Sequence, residues 1–225
     1  MMLNHDQEWG LHLLRESRAQ HVIGIDEVGL GACAGPLVVC GAVFPCEWAD
    51  PAVKDSKAYT GGGQKAHDKR TEVRKNHIDP VVLHQELEVI PNKDIDALGM
   101  GDALADAMYR IALRCTFAFP DSAVVIDGVN KMVLRRARVV VAIPKGDVLV
   151  PAVSAASVIA KTTRDAMMIM SEALYPNYGF EQHMGYPTPD HLKALDEHGP
   201  CRIHRRSYKA VSMAIAARRA RGLPE

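Results

Sequence analysis

Four carboxylates at the ends of apolar segments are the residues of this sequence best suited to chemistry. Asp26 and Glu27 close the apolar stretch that begins at His21, and three glycines lie in or beside the turn that follows. Asp127 ends a second apolar run, and Asp147 follows a third. Because ligands of an α/β sheet bind at strand ends, acids from these three segments can converge on one site.

The charge of such a cluster indicates what it would bind. Buried carboxylates repel one another strongly unless cations neutralise them. Hard oxygen ligands without histidine or cysteine favour Mg²⁺ or Mn²⁺ over Zn²⁺. Two such ions about 4 Å apart form the arrangement used for phosphodiester hydrolysis. The ordinary alternative is an Asp-Glu pair at a solvated turn, since short motifs often match by chance.

One geometric condition applies to the Asp26-Glu27 pair. Neighbouring residues of a strand direct their side chains to opposite faces of the sheet. Both acids can therefore share a site only if the strand ends or bulges at that point, which Gly29 and Gly31 would allow.

The elements that must position these acids alternate along the chain. Short apolar runs that predict strands lie at 22–26, 36–44, 81–89, 122–127 and 138–143. Amphipathic spacing predicts helices at 7–19, 94–114, 153–174, 189–197 and 208–221. A polar excursion over 54–75 is expected to end in a helix. This order predicts an α/β fold with a mixed central sheet flanked by helices and a C-terminal helical extension.

The composition is that of an ordinary globular protein. The chain has 225 residues, 48% apolar and 24% charged, with 27 basic and 27 acidic residues. Any nucleic-acid surface must therefore be local. Five cysteines without a CxxC pair predict reduced thiols. The N-terminus lacks signal-peptide features and no apolar stretch reaches membrane-span length, so we expect a cytoplasmic monomer without membrane association.

The segment Gly24-Ile-Asp-Glu-Val-Gly-Leu-Gly-Ala-Cys-Ala-Gly-Pro36 resembles the opening motif of the ribonuclease HII family, the type 2 ribonucleases H. Seven further motifs of that family follow in order and at suitable spacing. They are Lys54-Asp-Ser-Lys57, Ile126-Asp-Gly128, Lys145-Gly-Asp147, Ser154 to Asp165, Tyr175 to Phe180, His183 to Thr188 and His204-Arg-Arg-Ser-Tyr208. The resemblance covers about residues 21–208, and eight motifs in register make it specific.

This resemblance implies a ribonuclease H-like fold and an endonuclease. It implies one domain over 1–225, with a catalytic core at about 20–175 and a substrate-contacting helical extension at about 176–225. The activity implied is hydrolysis of RNA in RNA–DNA hybrids and cleavage 5′ of ribonucleotides embedded in duplex DNA, leaving a 3′-hydroxyl and a 5′-phosphate. Such an activity serves ribonucleotide excision repair and DNA replication.

The family's motifs also imply which residues do the chemistry. Its metal-binding catalytic acids match Asp26, Glu27, Asp127 and Asp147. Two Mg²⁺ or Mn²⁺ ions would be present in the catalytic complex. Our hypothesis for the roles is that Asp26 bridges both ions while the other three acids complete their coordination.

A second set of residues would contact the nucleic acid. By resemblance this set comprises Gly29, Leu30, Gly31, Lys57, Ser154, Ser157, Lys161 and Tyr186. The lysines and serines would bind phosphates, and the tyrosine would stack on the deoxyribose beside the junction. The ordinary alternatives are solvated lysines, helix-capping serines and a core tyrosine.

Nearby charged residues are expected to do less. We expect Arg164 and Asp165 to be structural, as an ion pair or packing contact. Arg205 and Arg206 are expected to be surface charges.

The chain departs from the family pattern in three places. Leu30 stands where an arginine is usual, Met184 replaces a lysine, and the continuation after Lys57 differs. The sibling family, ribonuclease HIII, has a threonine in the middle of this turn and prefers longer hybrids. It also has an extra N-terminal domain and a glutamate in place of Asp147. Asp147 therefore favours ribonuclease HII for the catalytic core, while Leu30 leaves a preference for longer hybrids with weak cleavage at single ribonucleotides as an alternative.

Two alternatives come from other classes of protein. A hybrid-binding protein without catalysis would be expected to lack at least one of the four acids, and all are present. A metal-dependent phosphotransferase would need a nucleotide-binding loop, and the glycine run at 61–63 lacks the Gly-Lys-Ser/Thr ending. No aromatic pair for docking on a sliding clamp is seen in the basic segment at 208–221, so we expect no such partner motif.

Overall fold

A mixed β-sheet forms the centre of the computed structural model, which describes residues 3–60, 63–128 and 135–224. Its strands are β1 (His21–Val28), β2 (Leu37–Pro45), β3 (His84–Ile90), β4 (Ala123–Asp127) and β5 (Val139–Ile143). They lie in the order β3-β2-β1-β4-β5. The pairs β1–β2 and β2–β3 are antiparallel, whereas β1–β4 and β4–β5 are parallel. The predicted mixed sheet is confirmed.

Helices flank this sheet and follow it. They are α1 (His5–Glu16), α2 (Gly63–Val73), α3 (Asn92–Leu98), α4 (Met100–Ala118), α5 (Gly146–Leu149), α6 (Pro151–Leu174), α7 (Phe180–His183), α8 (Pro189–His198) and α9 (Lys209–Ala220). A 3₁₀ turn at Ser56–Ala58 and a π-helical segment at Arg74–Ile78 lie on either side of α2. In the part of the chain described, no helix is long and apolar enough to cross a membrane.

One predicted helix is in fact two. The pattern over 94–114 predicted a single helix, but the structure has α3 and α4 with Gly99 between them. Gly99 has φ 82°, a conformation that ends α3 and that glycine adopts without a steric penalty. The prediction of a continuous helix was therefore wrong.

The helix α6 lies directly on the centre of the sheet. A Cβ atom at Gly24 of β1 would overlap the backbone of Ala152 and Val153 in α6. The glycine therefore permits the close approach of helix and strand. Val22 and Val125 belong to the same buried cluster as Val153, so this face is packed with apolar side chains.

The helix α4 covers the other face. Ile23 and Ile25 of β1 pack there with Ile111 and Cys115 of α4. Alternate residues of β1 thus face α6 and α4, as the two-residue period of a strand requires. The two clusters make the sheet a layer buried on both sides.

The C-terminal helices are joined to the loop between β1 and β2. Ala34 in that loop forms a β-bridge with His204, and Cys33 donates its backbone N–H to the Gly185 carbonyl. Met168 of α6 packs with Phe180 in a buried cluster that also contains Ala34. The residues after α6 are therefore fixed beside the end of β1.

Two buried histidines lie within this C-terminal part. His191 and His204 are buried with their Nε2 atoms 3.1 Å apart. Cys201 donates its backbone N–H to His204 Nδ1, so the His204 proton lies on Nε2 and is donated to His191. His191 in turn donates from Nδ1 to the Tyr186 carbonyl at 2.9 Å. A further proton on either ring would face a donor, so this arrangement fits two neutral rings.

We predict that this pair makes the protein less stable in mild acid. Burial is the main cause that lowers the pKa of His191 to about 4 and that of His204 to about 3. Below about pH 6.5 an unfolded histidine binds a proton that the folded one does not, so stability falls as the pH decreases toward about 4. The loss should be roughly 1–3 kcal/mol per histidine.

Urea unfolding at about pH 7 and about pH 5 measures this loss. A His204→Gln variant should lose less stability between the two pH values than the wild-type protein. The same substitution at exposed His12 is the control. Equal losses in the wild-type and His204→Gln proteins would contradict the prediction.

Candidate active site at the end of the sheet

Asp26 and Glu27 lie just beyond the end of the parallel ladder. The pairing of β1 with β4 stops at Ile25 and Ile126, so Asp26 lies just beyond it. On the other side β1 stays paired with β2 as far as Val28. The strand therefore does not end at Asp26, as its sequence predicted, but it lacks a neighbour on one side from that residue onward.

Asp26 and Glu27 are neighbours on opposite faces of the strand, and their charges influence each other. Burial raises the pKa of Asp26 well above its usual range, and the charge of Glu27 raises it further. Burial also raises the pKa of Glu27 to about 7, with Asp127 as the next cause. Each acid therefore feels the charge of neighbouring carboxylates. The end or bulge of the strand that the sequence predicted at this pair is not found, because β1 continues in regular register with β2 to Val28.

Asp127 is the last residue of β4. Its Oδ1 atom accepts the backbone N–H of Gly146 at 2.7 Å, which connects the end of β4 to the start of α5. Burial raises the pKa of Asp127, and the charge of Asp147 adds to the shift. Asp127 therefore interacts electrostatically with both Glu27 and Asp147.

Asp147 lies on α5 and is almost fully buried. Its Oδ2 atom is 3.1 Å from Lys57 Nζ. Ser154 of α6 donates its hydroxyl to the Asp147 backbone carbonyl at 2.7 Å. The short helix and the start of α6 therefore hold Asp147 at the same end of the sheet as the other acids.

The four acids fit divalent cations by the chemistry of their donors. Within the described ranges, their ion pairs are limited to the one between Lys57 and Asp147. The remaining negative charge is confined to a buried region, where carboxylate oxygens suit Mg²⁺ or Mn²⁺. No group of three or more His, Cys, Asp or Glu side chains among the described residues forms a ready-made cage. The fit therefore rests on charge and donor type.

The loop that carries Lys57 brings one acid that sequence reasoning left unassigned. Asp55 accepts the backbone N–H of Lys57 at 3.1 Å, and its Oδ1 atom is 3.9 Å from Lys57 Nζ. Burial raises the pKa of Asp55. Asp55 belongs to the same sequence motif as Lys57, and this membership could have identified it as a residue of the site.

The two serines of α6 support the site from within. The Ser157 hydroxyl lies 2.9 Å from the Ser56 hydroxyl, and its hydrogen bond to Asp26 favours the charged form of that acid. Ser154 and Ser157 are both buried. They connect α6 to the loop and the acids, and neither hydroxyl is presented on the surface.

Lys161 forms an ion pair with Asp165 and, in the described residues, with none of the four acids. Its Nζ atom lies 2.6 Å from Asp165, which also pairs with Arg70 at 3.2 Å. The same Nζ lies 5.6 Å from the centre of the Tyr186 ring. Lys161 therefore belongs to the surroundings of Tyr186.

The turn after β1 lies beside Tyr186. A Cβ atom built at Gly31 would lie 3.9 Å from the Tyr186 ring, and Leu30 is 38% exposed. Gly29 has φ 101°, and a Cβ atom there would come 2.5 Å from Arg164 Nε. Only glycine fits that position, so the turn has a fixed shape.

The two arginines that were expected to be surface charges differ in their burial. Arg206 is exposed, but Arg205 has no exposed surface, so the prediction that Arg205 is a surface charge was wrong. Its guanidinium donates to backbone carbonyls of the loop after β1, which compensate its burial. Arg164 is structural as expected, although it binds backbone carbonyls, while Asp165 pairs with Lys161 and Arg70.

Comparison with known proteins gives a consistent result. The Ribonuclease HII family matches residues 23–211. Ribonuclease HII of Bordetella pertussis (strain Tohama I) is 38% identical over 190 residues, which cover 84% of this chain and 89% of that relative.

Solved structures share the fold. The crystal structure of ribonuclease H2 from Pyrococcus horikoshii OT3 has a TM-score of 0.71 at 25% identity and covers 88% of this chain and 99% of that one. Bst-RNase HIII in complex with Mn²⁺ has a TM-score of 0.69 at 18% identity and covers 95% and 74%, which shows the fold alone. The chain belongs to the ribonuclease HII family, and it is a ribonuclease H.

Proposed function

We propose that this enzyme hydrolyses the RNA strand of RNA–DNA hybrids and also cuts 5′ of single ribonucleotides in duplex DNA. The catalytic set is Asp26, Glu27, Asp127 and Asp147, with two divalent cations. The observation that carries the proposal is the convergence of these acids at one end of the sheet, where burial and mutual repulsion raise the pKa values of three of them. Cations and a phosphate would relieve that repulsion.

The chemistry divides between the cations and the chain. When bound to the four carboxylates, two Mg²⁺ or Mn²⁺ ions supply Lewis acidity to the attacking water and to the leaving 3′-oxygen. The chain keeps the carboxylates in place through the Gly146 amide on Asp127 and through Ser154 at the Asp147 carbonyl. This preorganisation is the protein's own contribution to the rate.

Lys57 would provide the contact to the phosphate. Its side chain is 79% exposed although its ammonium pairs with Asp147. A cation bound by Asp147 would weaken that pair and leave the ammonium free for a phosphate oxygen. The turn at Gly29–Gly31 and the ring of Tyr186 would then bind the sugar beside the cleaved bond.

The four acids also bear on the alternative of a hybrid-binding protein without catalysis. Such a protein gains nothing from like charges that raise one another's pKa values, and the relatives are ribonucleases. A wild-type protein that bound hybrids and left them uncut in both Mg²⁺ and Mn²⁺ would support this alternative.

We predict that Asp147→Asn abolishes cleavage and leaves hybrid binding largely intact, because a ligand of the catalytic cations is removed while the binding surface stays. The loss of rate should be at least about a hundredfold, as for removal of a central electrostatic group. Cleavage of a labelled RNA–DNA hybrid in Mg²⁺ and then Mn²⁺ measures it. Full activity in the variant would remove Asp147 from the set.

A matched control and a second readout accompany this test. Asp79→Asn changes an exposed aspartate that pairs with Arg74, and it should cleave at the wild-type rate. In the absence of substrate, Mn²⁺ should raise the melting temperature of the wild-type protein more than that of Asp26→Asn. An equal rise in both would count against Asp26 as a metal ligand.

The turn residue Leu30 decides between the two substrate preferences. It brings no charge to the exposed turn, and the buried Met184 brings none either. Cleavage at single ribonucleotides would therefore lack charge-assisted contacts that are each worth roughly 1.5–3 kcal/mol. This observation favours weaker activity on that substrate than on long hybrids as the second candidate function.

We predict that Leu30→Arg raises kcat/KM on a duplex with one ribonucleotide by roughly tenfold, the equivalent of about 1.4 kcal/mol for a new ionic contact. Leu30→Gln, which is polar but uncharged, is the control. Both variants are compared on the single-ribonucleotide duplex and on a long hybrid. No gain on the first substrate would show that Leu30 does not limit it.

A further inference from the structure

We propose that Arg205 is a positioning residue for recognition of the ribose. Its buried guanidinium holds the carbonyls of the Gly29–Gly31 turn inward, so that the amides of the turn remain available to the sugar at the cleavage site. This inference rests on the proposed function.

The hydrogen bonds of Arg205 converge on this turn. Nη1 donates to the Gly29 carbonyl at 2.7 Å and to the Leu30 carbonyl at 3.3 Å. Nε donates to the Gly35 carbonyl at 3.0 Å. One side chain thus fixes both ends of the loop that joins β1 to β2.

Tyr208 completes the support. Its hydroxyl donates to the Leu30 carbonyl at 2.5 Å and accepts from Arg205 Nη1 at 3.0 Å. The Gly29 and Leu30 carbonyls therefore accept hydrogen bonds from Arg205 and Tyr208, which precede α9.

Unlike the carbonyl groups of the turn, two of its backbone amides have no hydrogen-bond partner in the described residues. Within the ranges that the structure covers, the backbone N–H groups of Leu30 and Gly31 donate to no other residue. Both residues are exposed, and Gly31 lies beside Tyr186. Two free donors next to an aromatic ring form a surface suited to a hydroxyl-bearing sugar.

Arg164 joins this turn to Tyr186. It donates to the carbonyls of Ala34 and Pro36 in the loop and to that of Met184, two residues before Tyr186. Its guanidinium carbon lies 5.5 Å from the centre of the Tyr186 ring. Arg205 and Arg164 therefore fix the two halves of one recognition surface.

The buried positions of Arg205 and Arg164 are unfavourable for the stability of the fold, so their presence there is better explained by a role in function. Arg205 Nη2 is buried without a hydrogen-bond partner in the described chain. Neither Arg205 nor Arg164 forms an ion pair with a carboxylate there, and burial lowers the pKa of both. Buried charges without counter-ions are unfavourable, and apolar side chains would fill the same space at less cost.

The test compares Arg205→Met with a matched control, Arg218→Met. Arg218 is also buried and also donates to backbone carbonyls, those of Asp196 and Glu197 at the end of α8. Each substitution is made in the Asp147→Asn protein, and binding to a duplex with one ribonucleotide is compared with binding to the same duplex in DNA only. Melting temperatures are measured in parallel.

The selectivity ratio is the Kd for the DNA-only duplex divided by the Kd for the duplex with one ribonucleotide. For Arg205→Met, this ratio should fall by about tenfold or more, since displacement of binding groups by about 1 Å has effects of this size. For Arg218→Met, the ratio should stay within about twofold at a similar loss of melting temperature. Arg205→Lys should resemble Arg205→Met, because a lysine keeps the charge but cannot reach both loop ends.

Three results would overturn the proposal. They are an unchanged ratio in the Arg205 variants, an equal change in Arg218→Met, or no discrimination between the two duplexes by the parent protein. If Arg205→Met does not fold, Tyr208→Phe removes one bond to the Leu30 carbonyl and should lower the ratio less, by about threefold, the value of one hydrogen bond. Failure of the proposed function shows itself separately, as the absence of hybrid cleavage by the wild-type enzyme.

Discussion

The close contact between α6 and β1 at Gly24 is the constraint on which the site depends. Because a glycine faces the helix, the start of α6 lies against the strand two residues before Asp26. The chain reaches α6 directly from α5, so Asp147 arrives at the same end of the sheet. Ser157, two turns into the helix, then lies beside Asp26 and the loop of Lys57. One backbone approach thus places three chain segments around the acids.

This placement creates a conflict between stability and function. Carboxylates collected in a buried region raise one another's pKa values and disfavour the folded state. The chain relieves only part of the conflict, through Lys57 at Asp147 and through the Gly146 amide at Asp127. The negative charge that remains can bind cations, and their binding then stabilises the same arrangement of carboxylates. A site that were fully neutralised by its own side chains would have less to gain from a metal.

The sequence predicted this site better than its surroundings. Acids at strand ends follow from apolar patterns a few residues long, so Asp127 and Asp147 could be placed without a structure. The extension of β1 to Val28 could not, because it depends on pairing with β2 alone. Nor could the burial of Arg205, whose acceptor at Gly35 lies 170 residues away along the chain. A local pattern shows an arginine beside another arginine and predicts a solvated pair.

Other hydrogen bonds between distant parts of the chain join the residues after α6 to the core of the protein. His191 accepts from His204 and binds the Tyr186 carbonyl, while Arg164 of α6 binds the Met184 carbonyl. Tyr186 is therefore fixed from the C-terminal helices and from the core at once. The turn beside it is held in the same way, by its own strand and by Arg205. The proposed sugar-binding surface and the four acids consequently share one framework of hydrogen bonds, so we expect that a substitution on the C-terminal side can change selectivity without altering one of the proposed catalytic carboxylates.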